Sequence, residues 1–171
     1  MLHLKNFVEY TPAEVPEELK GFGILYFRSE DGVDFYEAIK TAKEDTIKIL
    51  YRDNTITGFS SDASSLYPVG ASLIEVKASK VPSDLALDQK YLFDPIKVAF
   101  TLSPEYQAQL LEQAKTKALK EANAIIEGIQ DKIDTGKARE EDLSTMKAWK
   151  EYRIEVRETT DLSALPAKPD A

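Results

Sequence analysis

The spacing of apolar residues along the chain changes near Phe100. Before it, short apolar runs alternate with polar positions, as in 46–52, where Ile47, Ile49 and Tyr51 alternate with Lys48. This period of two is typical of a strand with one buried face. After it, apolar residues recur every third or fourth position, as in amphipathic helices. We therefore predict an α+β fold, with a small, mostly antiparallel N-terminal β-sheet domain and a long C-terminal α-helical hairpin.

Turn residues punctuate the N-terminal strands. Residues 29–32 contain Asp-Gly between the apolar runs 24–28 and 33–36, and this predicts a hairpin because glycine takes the positive φ of a tight turn. The Asp-Asn pair at 53–54 predicts a second hairpin, which joins the strand 46–52 to the next apolar run. Further predictions are a turn or one helical turn at 61–65, a strand at 72–77, and pairing of 91–93 with 96–98.

Two helices are predicted in the C-terminal part. Ser103 and Pro104 are typical of a helix start, and Gly136 is typical of a helix end. A second helix is predicted over 139–157, so a short loop gives an antiparallel pair. The predicted domains are 1–100 (β-rich), 101–158 (helical hairpin) and 159–171 (a mobile, proline-containing tail). The predicted apolar stripes comprise Leu111, Ala114, Ala118, Ala122, Ile125, Ile129 and Ile133, and Leu143, Met146, Trp149, Tyr152 and Val156.

Composition excludes several chemistries. The 171 residues include 22 Lys and Arg, 30 Asp and Glu, one His and no Cys, for a net charge of −8. Without Cys there is no disulfide, thiolate nucleophile or Cys-based metal site, and one His cannot form a multi-His site. The acidic balance argues against nucleic-acid binding, and the longest apolar run, 21–27, is too short for membrane insertion. A binding protein is favoured over an enzyme.

Four acids lie close together around the first predicted hairpin: Glu30, Asp31, Asp34 and Glu37. Of these, Asp31 and Asp34 could be ligands for a hard cation or a carboxylate pair for hydrolysis. The simpler interpretation is a solvated turn, because neither an EF-hand spacing nor a base beside an acid is present. We predict no catalytic residue, no metal site and no cofactor.

Aromatic residues are the best candidates for a binding surface. Tyr26, Phe27, Phe35 and Tyr36 cannot all point inward if they lie on strands, so either the tyrosine pair or the phenylalanine pair faces outward or under the helices. An outward pair would bind a protein partner. In the second helix, aromatic residues are either hairpin core or an interface anchor. The predicted partner-binding residues are Tyr26, Arg28, Phe35, Tyr36, Trp149 and Tyr152.

Several segments, in order along nearly the whole chain, form a recognisable combination: His3–Phe7, Leu25–Glu37, Asp45–Tyr51, Asp62–Leu66, Pro68–Gly70, Ile74–Val76 and Met146–Arg157 with Asp161. Together they resemble the tail fibre assembly proteins of tailed phages and prophages. One departure lies in Val81–Asp94 and at the residue after it, where Pro95 follows Asp94.

The resemblance implies a non-enzymatic chaperone for the C-terminal receptor-binding region of a tail fibre. It would promote folding and trimerisation of the fibre in the host cytoplasm, and then either leave or stay on the virion at the fibre tip. The alternative is a structural or adhesin component of the virion tail fibre tip. The N-terminal domain would bind the fibre, and the helical hairpin would brace the sheet or form a homodimer.

Overall fold

The computed structural model describes residues 1–15, 17 and 20–169. The chain divides into two compact units, of which the first ends at Ser103 and the second begins at Pro104. The first unit is an antiparallel sheet domain and the second is a pair of long helices, so the predicted α+β fold is confirmed.

The first unit contains a six-stranded antiparallel sheet and a two-stranded antiparallel ribbon. The sheet has the strand order β1-β6-β4-β5-β7-β8, and β2 pairs with β3 in the ribbon. A short helix, α1, follows β3. The elements are β1 (His3–Leu4), β2 (Val8–Tyr10), β3 (Tyr26–Arg28), α1 (Phe35–Ile39), β4 (Thr46–Arg52), β5 (Thr55–Ser60), β6 (Ser72–Lys77), β7 (Tyr91–Asp94) and β8 (Ala99–Leu102).

Strand β4 is buried on both faces, not on one as the alternation predicted. Ile49 and Tyr51 belong to an apolar cluster on one face, whereas Leu50 belongs to a cluster on the other. Lys48, expected on a solvent face, is only 2% exposed. Its Nζ donates to three backbone carbonyls, including that of Ser61 at 2.9 Å, which compensates the lysine for lost hydration.

Glu75 is the second buried charge and pairs with Lys48 in the β4–β6 register. Its carboxylate accepts backbone hydrogen bonds from Leu2 at 2.8 Å and Lys43 at 2.6 Å. The carbonyl of Lys43 accepts from Lys48, so one peptide segment contacts both buried charges. These bonds fix the loop after α1 and the start of the chain onto the sheet.

The first predicted hairpin is correct in its turn and wrong in its second strand. Gly32 has φ +81° and its N–H donates to Ser29, so the chain reverses as expected. Pairing then stops after a single bridge between Arg28 and Asp34. Asp34 accepts the backbone N–H of Glu37 at 2.9 Å and caps α1, so the residues predicted to continue the strand form a helix.

The last sheet hairpin is displaced by three residues from its prediction. Strand β7 pairs with 99–102, not with 96–98. Asp94 Oδ1 accepts the N–H groups of Ile96 and Lys97, which makes those residues part of the turn, and Val98 has φ +50°. The predicted hairpin with its turn at 53–54 is confirmed, because β4 pairs with β5 there. The predicted strand β6 and the helical turn at 63–65 are confirmed as well.

The second unit contains α2 (Pro104–Asp134) and α3 (Glu140–Glu158). After α2, Gly136 has φ +68° and donates to Ile133 at 3.0 Å, while Lys137 donates to Lys132 at 2.7 Å. This pair of bonds is the Schellman arrangement that ends a helix at glycine. The buried core of the hairpin consists of Ala118, Ala122, Ile126, Ile129, Met146, Trp149, Tyr152 and Val156.

The segment predicted as a mobile tail has contacts with α2 through part of its length. Leu165 packs against the hairpin core, and Lys168 Nζ lies 2.6 Å from Glu121 Oε2. None of the helices in the described part of the chain has the length and apolar character that a membrane span requires. The homodimer through the hairpin stays a prediction.

Candidate protein-binding surface

The four aromatic residues around β3 and α1 separate into a buried pair and an outer pair. Phe27 and Phe35 are each 1% exposed and belong to the core. Tyr26 is partly exposed, and Tyr36 is 36% exposed. Their centroids are 5.8 Å apart at 77°, an edge-to-face contact. Of the two alternatives from the sequence, the tyrosine pair faces outward.

Tyr67, in the loop before β6, is a third exposed tyrosine and lies close enough to Tyr36 to affect its pKa. It is 56% exposed, and its ring packs edge-to-face on buried Phe27, with centroids 5.0 Å apart. Tyr36 Oη donates to the carbonyl of Leu25 at 3.0 Å, which fixes the orientation of its ring. Burial raises the pKa of Tyr36, and nearby Asp34, Tyr26 and Tyr67 add to this increase. We call Tyr26, Tyr36 and Tyr67 the tyrosine surface.

Asp34 connects the ribbon to α1 through hydrogen bonds. Its Oδ2 accepts the hydroxyl of Tyr10 at 2.8 Å, and its Oδ1 accepts the backbone N–H of Glu37 at 2.9 Å. The hydrogen bond to Asp34 raises the pKa of Tyr10. The guanidinium of Arg28 lies 5.3 Å from the Tyr10 ring centroid, within cation–π range.

The hydroxyl of Tyr26 differs from its neighbours. Its Oη is buried and has no hydrogen-bond partner among the described residues, whereas the hydroxyls of Tyr10 and Tyr36 both have one. The Tyr26 ring lies between those two rings, with centroids 6.4 Å and 5.8 Å away. Tyr26 therefore contributes to the packing of the surface as well as to its exposed area.

The six predicted partner-binding residues have different positions. Tyr26, Arg28 and Tyr36 lie together at the surface of the first unit, with Phe35 in the core beneath them. The burial of Phe35 leaves its side chain little area to offer a partner.

The other two predicted residues are core residues of the second unit. Trp149 and Tyr152 are 3% and 4% exposed, and their rings pack edge-to-face at 5.5 Å. This agrees with the hairpin-core interpretation of the sequence.

Sequence reasoning missed Tyr10 and Tyr67. Tyr10 lies directly opposite Tyr26 in the ribbon, a pairing that depends on the β2–β3 register. Tyr67 is isolated in the sequence before Pro68, and an aromatic residue in a turn was the only local signal. Both depend on long-range contacts that local patterns do not specify.

The acids near the first turn do not form a metal centre within the described residues, where no group of three or more His, Cys, Asp or Glu could hold a metal ion. Asp34 is occupied as a helix cap and as the acceptor for Tyr10. Glu37 Oε1 lies 2.6 Å from Lys40 Nζ on the exposed side of α1. The arrangement favours a structural role for Asp34 and a solvated one for Glu37.

Comparison with known proteins places the chain in a family. A family model described as "Caudovirales tail fibre assembly protein, lambda gpK" matches residues 43–169. The chain is 30% identical to tail fiber assembly protein U of Escherichia phage Mu, over 99% of this chain and 100% of that protein.

Similarity to further phage proteins also extends over nearly the whole length. The chain is 31% identical to a probable tail fiber assembly protein of Escherichia phage P2, over 99% of this chain and 97% of the relative. Tail fiber assembly protein U′ of Escherichia phage P1 is 29% identical over 97% of this chain. The chain therefore belongs to the tail fibre assembly protein family of tailed phages.

Proposed function

We propose that this chain is a tail fibre assembly chaperone. It binds the C-terminal receptor-binding region of a tail fibre in the host cytoplasm and promotes folding and trimerisation of the fibre without catalysis. Family membership supports a role in fibre assembly. The observation that carries the binding proposal is the tyrosine surface, in which the exposed rings of Tyr67 and Tyr36 pack on buried phenylalanines.

The tyrosine surface has the properties of a protein-binding site. Tyrosine is enriched at interfaces because its ring buries a large area at low cost in conformational entropy. Tyr36 and Tyr67 are held by contacts within the chain, through the hydrogen bond to Leu25 and the packing on Phe27. Since these rings are already ordered, a partner loses little affinity in fixing them.

Fibre folding explains why such a surface is useful. A trimeric fibre end built from intertwined strands has many non-local contacts and is slow to form. While it forms, apolar surface and unpaired strand edges are open to aggregation. A protein that covers apolar surface of the fibre chain suppresses aggregation until the trimer closes.

Co-expression with the cognate fibre tests the proposal. We expect Tyr36→Ala together with Tyr67→Ala to lower the yield of soluble fibre trimer at a temperature at which the variant is still folded. Its melting temperature falls as well, because Tyr36 loses its hydrogen bond to Leu25 and Tyr67 loses its packing on Phe27. Ile96→Ala is the matched control, because Ile96 is 92% exposed in the β7–β8 turn and is not part of the tyrosine surface. Full trimer yield with the double variant would contradict the binding role of this surface.

A further inference from the structure

We propose that Asp34 is the positioning residue of the tyrosine surface: its carboxylate joins the ribbon to α1 and sets the relative placement of Tyr26 and Tyr36 for partner binding. The inference rests on the proposed function of that surface. It assigns to this half-buried carboxylate a role in partner affinity that is separate from its role as a helix cap.

The two oxygens of the carboxylate bond to different elements. Oδ1 accepts the N–H of Glu37 at 2.9 Å in the first turn of α1, directly after Tyr36. Oδ2 accepts the hydroxyl of Tyr10 at 2.8 Å, and Tyr10 lies directly opposite Tyr26 in the ribbon register. One rigid group therefore connects the strand pair that carries Tyr26 to the helix that carries Tyr36.

A cation lies close to the ring of Tyr10, the donor of the bond to the carboxylate. Arg28, which forms the single β-bridge with Asp34, holds its guanidinium 5.3 Å from the Tyr10 ring centroid. Hydrogen bonds to an ionised acceptor are roughly twice as strong as neutral ones. The raised pKa of the Tyr10 hydroxyl, caused first by its bond to Asp34, agrees with such a contact.

Pre-organisation links this geometry to affinity. A partner that contacts Tyr26 and Tyr36 together needs their rings at one fixed spacing, and the free chain holds them with centroids 5.8 Å apart. If the ribbon and α1 moved independently, the two rings would have to be brought back to this spacing on binding. The entropy lost in that ordering would weaken the affinity for the partner. The exposed rings provide the area that contacts the partner, and Asp34 holds the Tyr26 and Tyr36 rings at the spacing that this contact needs.

Two variants remove the bond to Tyr10 from opposite sides. Asp34→Ser keeps a helix cap, because serine is as good an N-cap as aspartate, but its side chain is too short to reach Tyr10. Tyr10→Phe removes only the hydroxyl. Asp62→Ser is the control, since Asp62 caps the turn at 63–65 through Ser64 N–H at 2.9 Å in the same way.

The measurement is the dissociation constant for the cognate fibre, well below the melting temperature of each variant. We expect Asp34→Ser and Tyr10→Phe each to weaken binding by about tenfold, equivalent to about 1.4 kcal/mol for one charge-assisted hydrogen bond. The double variant should lose no more than either single variant, because both remove the same bond. Asp62→Ser should bind like the parent chain.

Two results would overturn the inference. One is unchanged affinity in both single variants with a lowered melt, which would make the bond purely structural. The other is a double variant that loses the sum of the two effects. Failure of the proposed function is distinguishable, because then Tyr36→Ala with Tyr67→Ala would also leave fibre affinity unchanged.

Discussion

Replacing Tyr26 by phenylalanine removes one oxygen from the centre of the tyrosine surface. Tyr26 Oη is buried and unpaired within the described residues, and the rings of Tyr10 and Tyr36 pack around it edge-to-face. The phenylalanine ring keeps both ring contacts. The change therefore isolates the contribution of a buried hydroxyl that has no partner.

The expected effect is stabilisation of the free chain. A buried polar group without a hydrogen bond costs about 1–3 kcal/mol relative to a satisfied one. Phenylalanine removes that cost and leaves only a small void, so we expect Tyr26→Phe to raise the free energy of unfolding by up to about 1 kcal/mol. A gain of about 1 kcal/mol raises the melting temperature by about 4–8 °C for a unit of the size of Met1–Ser103.

The neighbouring hydroxyls provide matched controls. Tyr36→Phe loses the bond to the Leu25 carbonyl and Tyr10→Phe loses the bond to Asp34. Each should lower the free energy of unfolding by about 0.5–1.5 kcal/mol. Urea unfolding followed by far-ultraviolet circular dichroism measures all three variants. If Tyr26→Phe instead destabilises the chain as much as Tyr36→Phe does, the hydroxyl of Tyr26 has a hydrogen-bond partner, contrary to this prediction.

Two further predictions concern buried charge and the loop between the helices. Burial acts to raise the pKa of Glu75, but its hydrogen bonds from Leu2, Lys43 and Thr46 lower it overall. A folded-state pKa below the unfolded value of 4.5 gives stability that is present above that pH and is lost as the pH falls. In Glu75→Gln, the free energy of unfolding should therefore decrease less as the pH falls through the acidic range than it does in the parent chain. An equal decrease in both proteins would contradict this. Gly136→Ala should cost about 1–2 kcal/mol in urea unfolding, because φ is +68° there, and a neutral result would contradict the glycine cap.

Helix boundaries and one hairpin could be predicted because their signals are local. Pro104 is the first residue of α2, and Gly136 ends the helix through bonds that span only a few residues. The pair at 53–54 joins β4 to β5 for the same reason, and Asp53 has φ +53°. In each case the residue type itself determines the backbone conformation.

The wrong predictions concern two kinds of side chain. Some have contact partners far away in the sequence, and others are compatible with more than one local structure. Asp34 is compatible with a strand, but its side chain accepts the backbone N–H of Glu37, and the residues after it therefore form α1. The sequence pattern predicts that Lys48 faces solvent. Its ammonium group is instead buried, where it donates hydrogen bonds to backbone carbonyls as distant in the sequence as that of Ser61. Tyr67 reaches Phe27 across 40 positions, so no window of sequence could place it on the candidate surface.

The yield of soluble fibre trimer in co-expressing cells is the measurement on which the chaperone function depends. We expect high yield with the parent chain and with Ile96→Ala. We expect low yield without the chain, and low yield with Tyr36→Ala and Tyr67→Ala combined while the variant stays folded. Equal trimer yield with and without the chain would contradict the chaperone function itself.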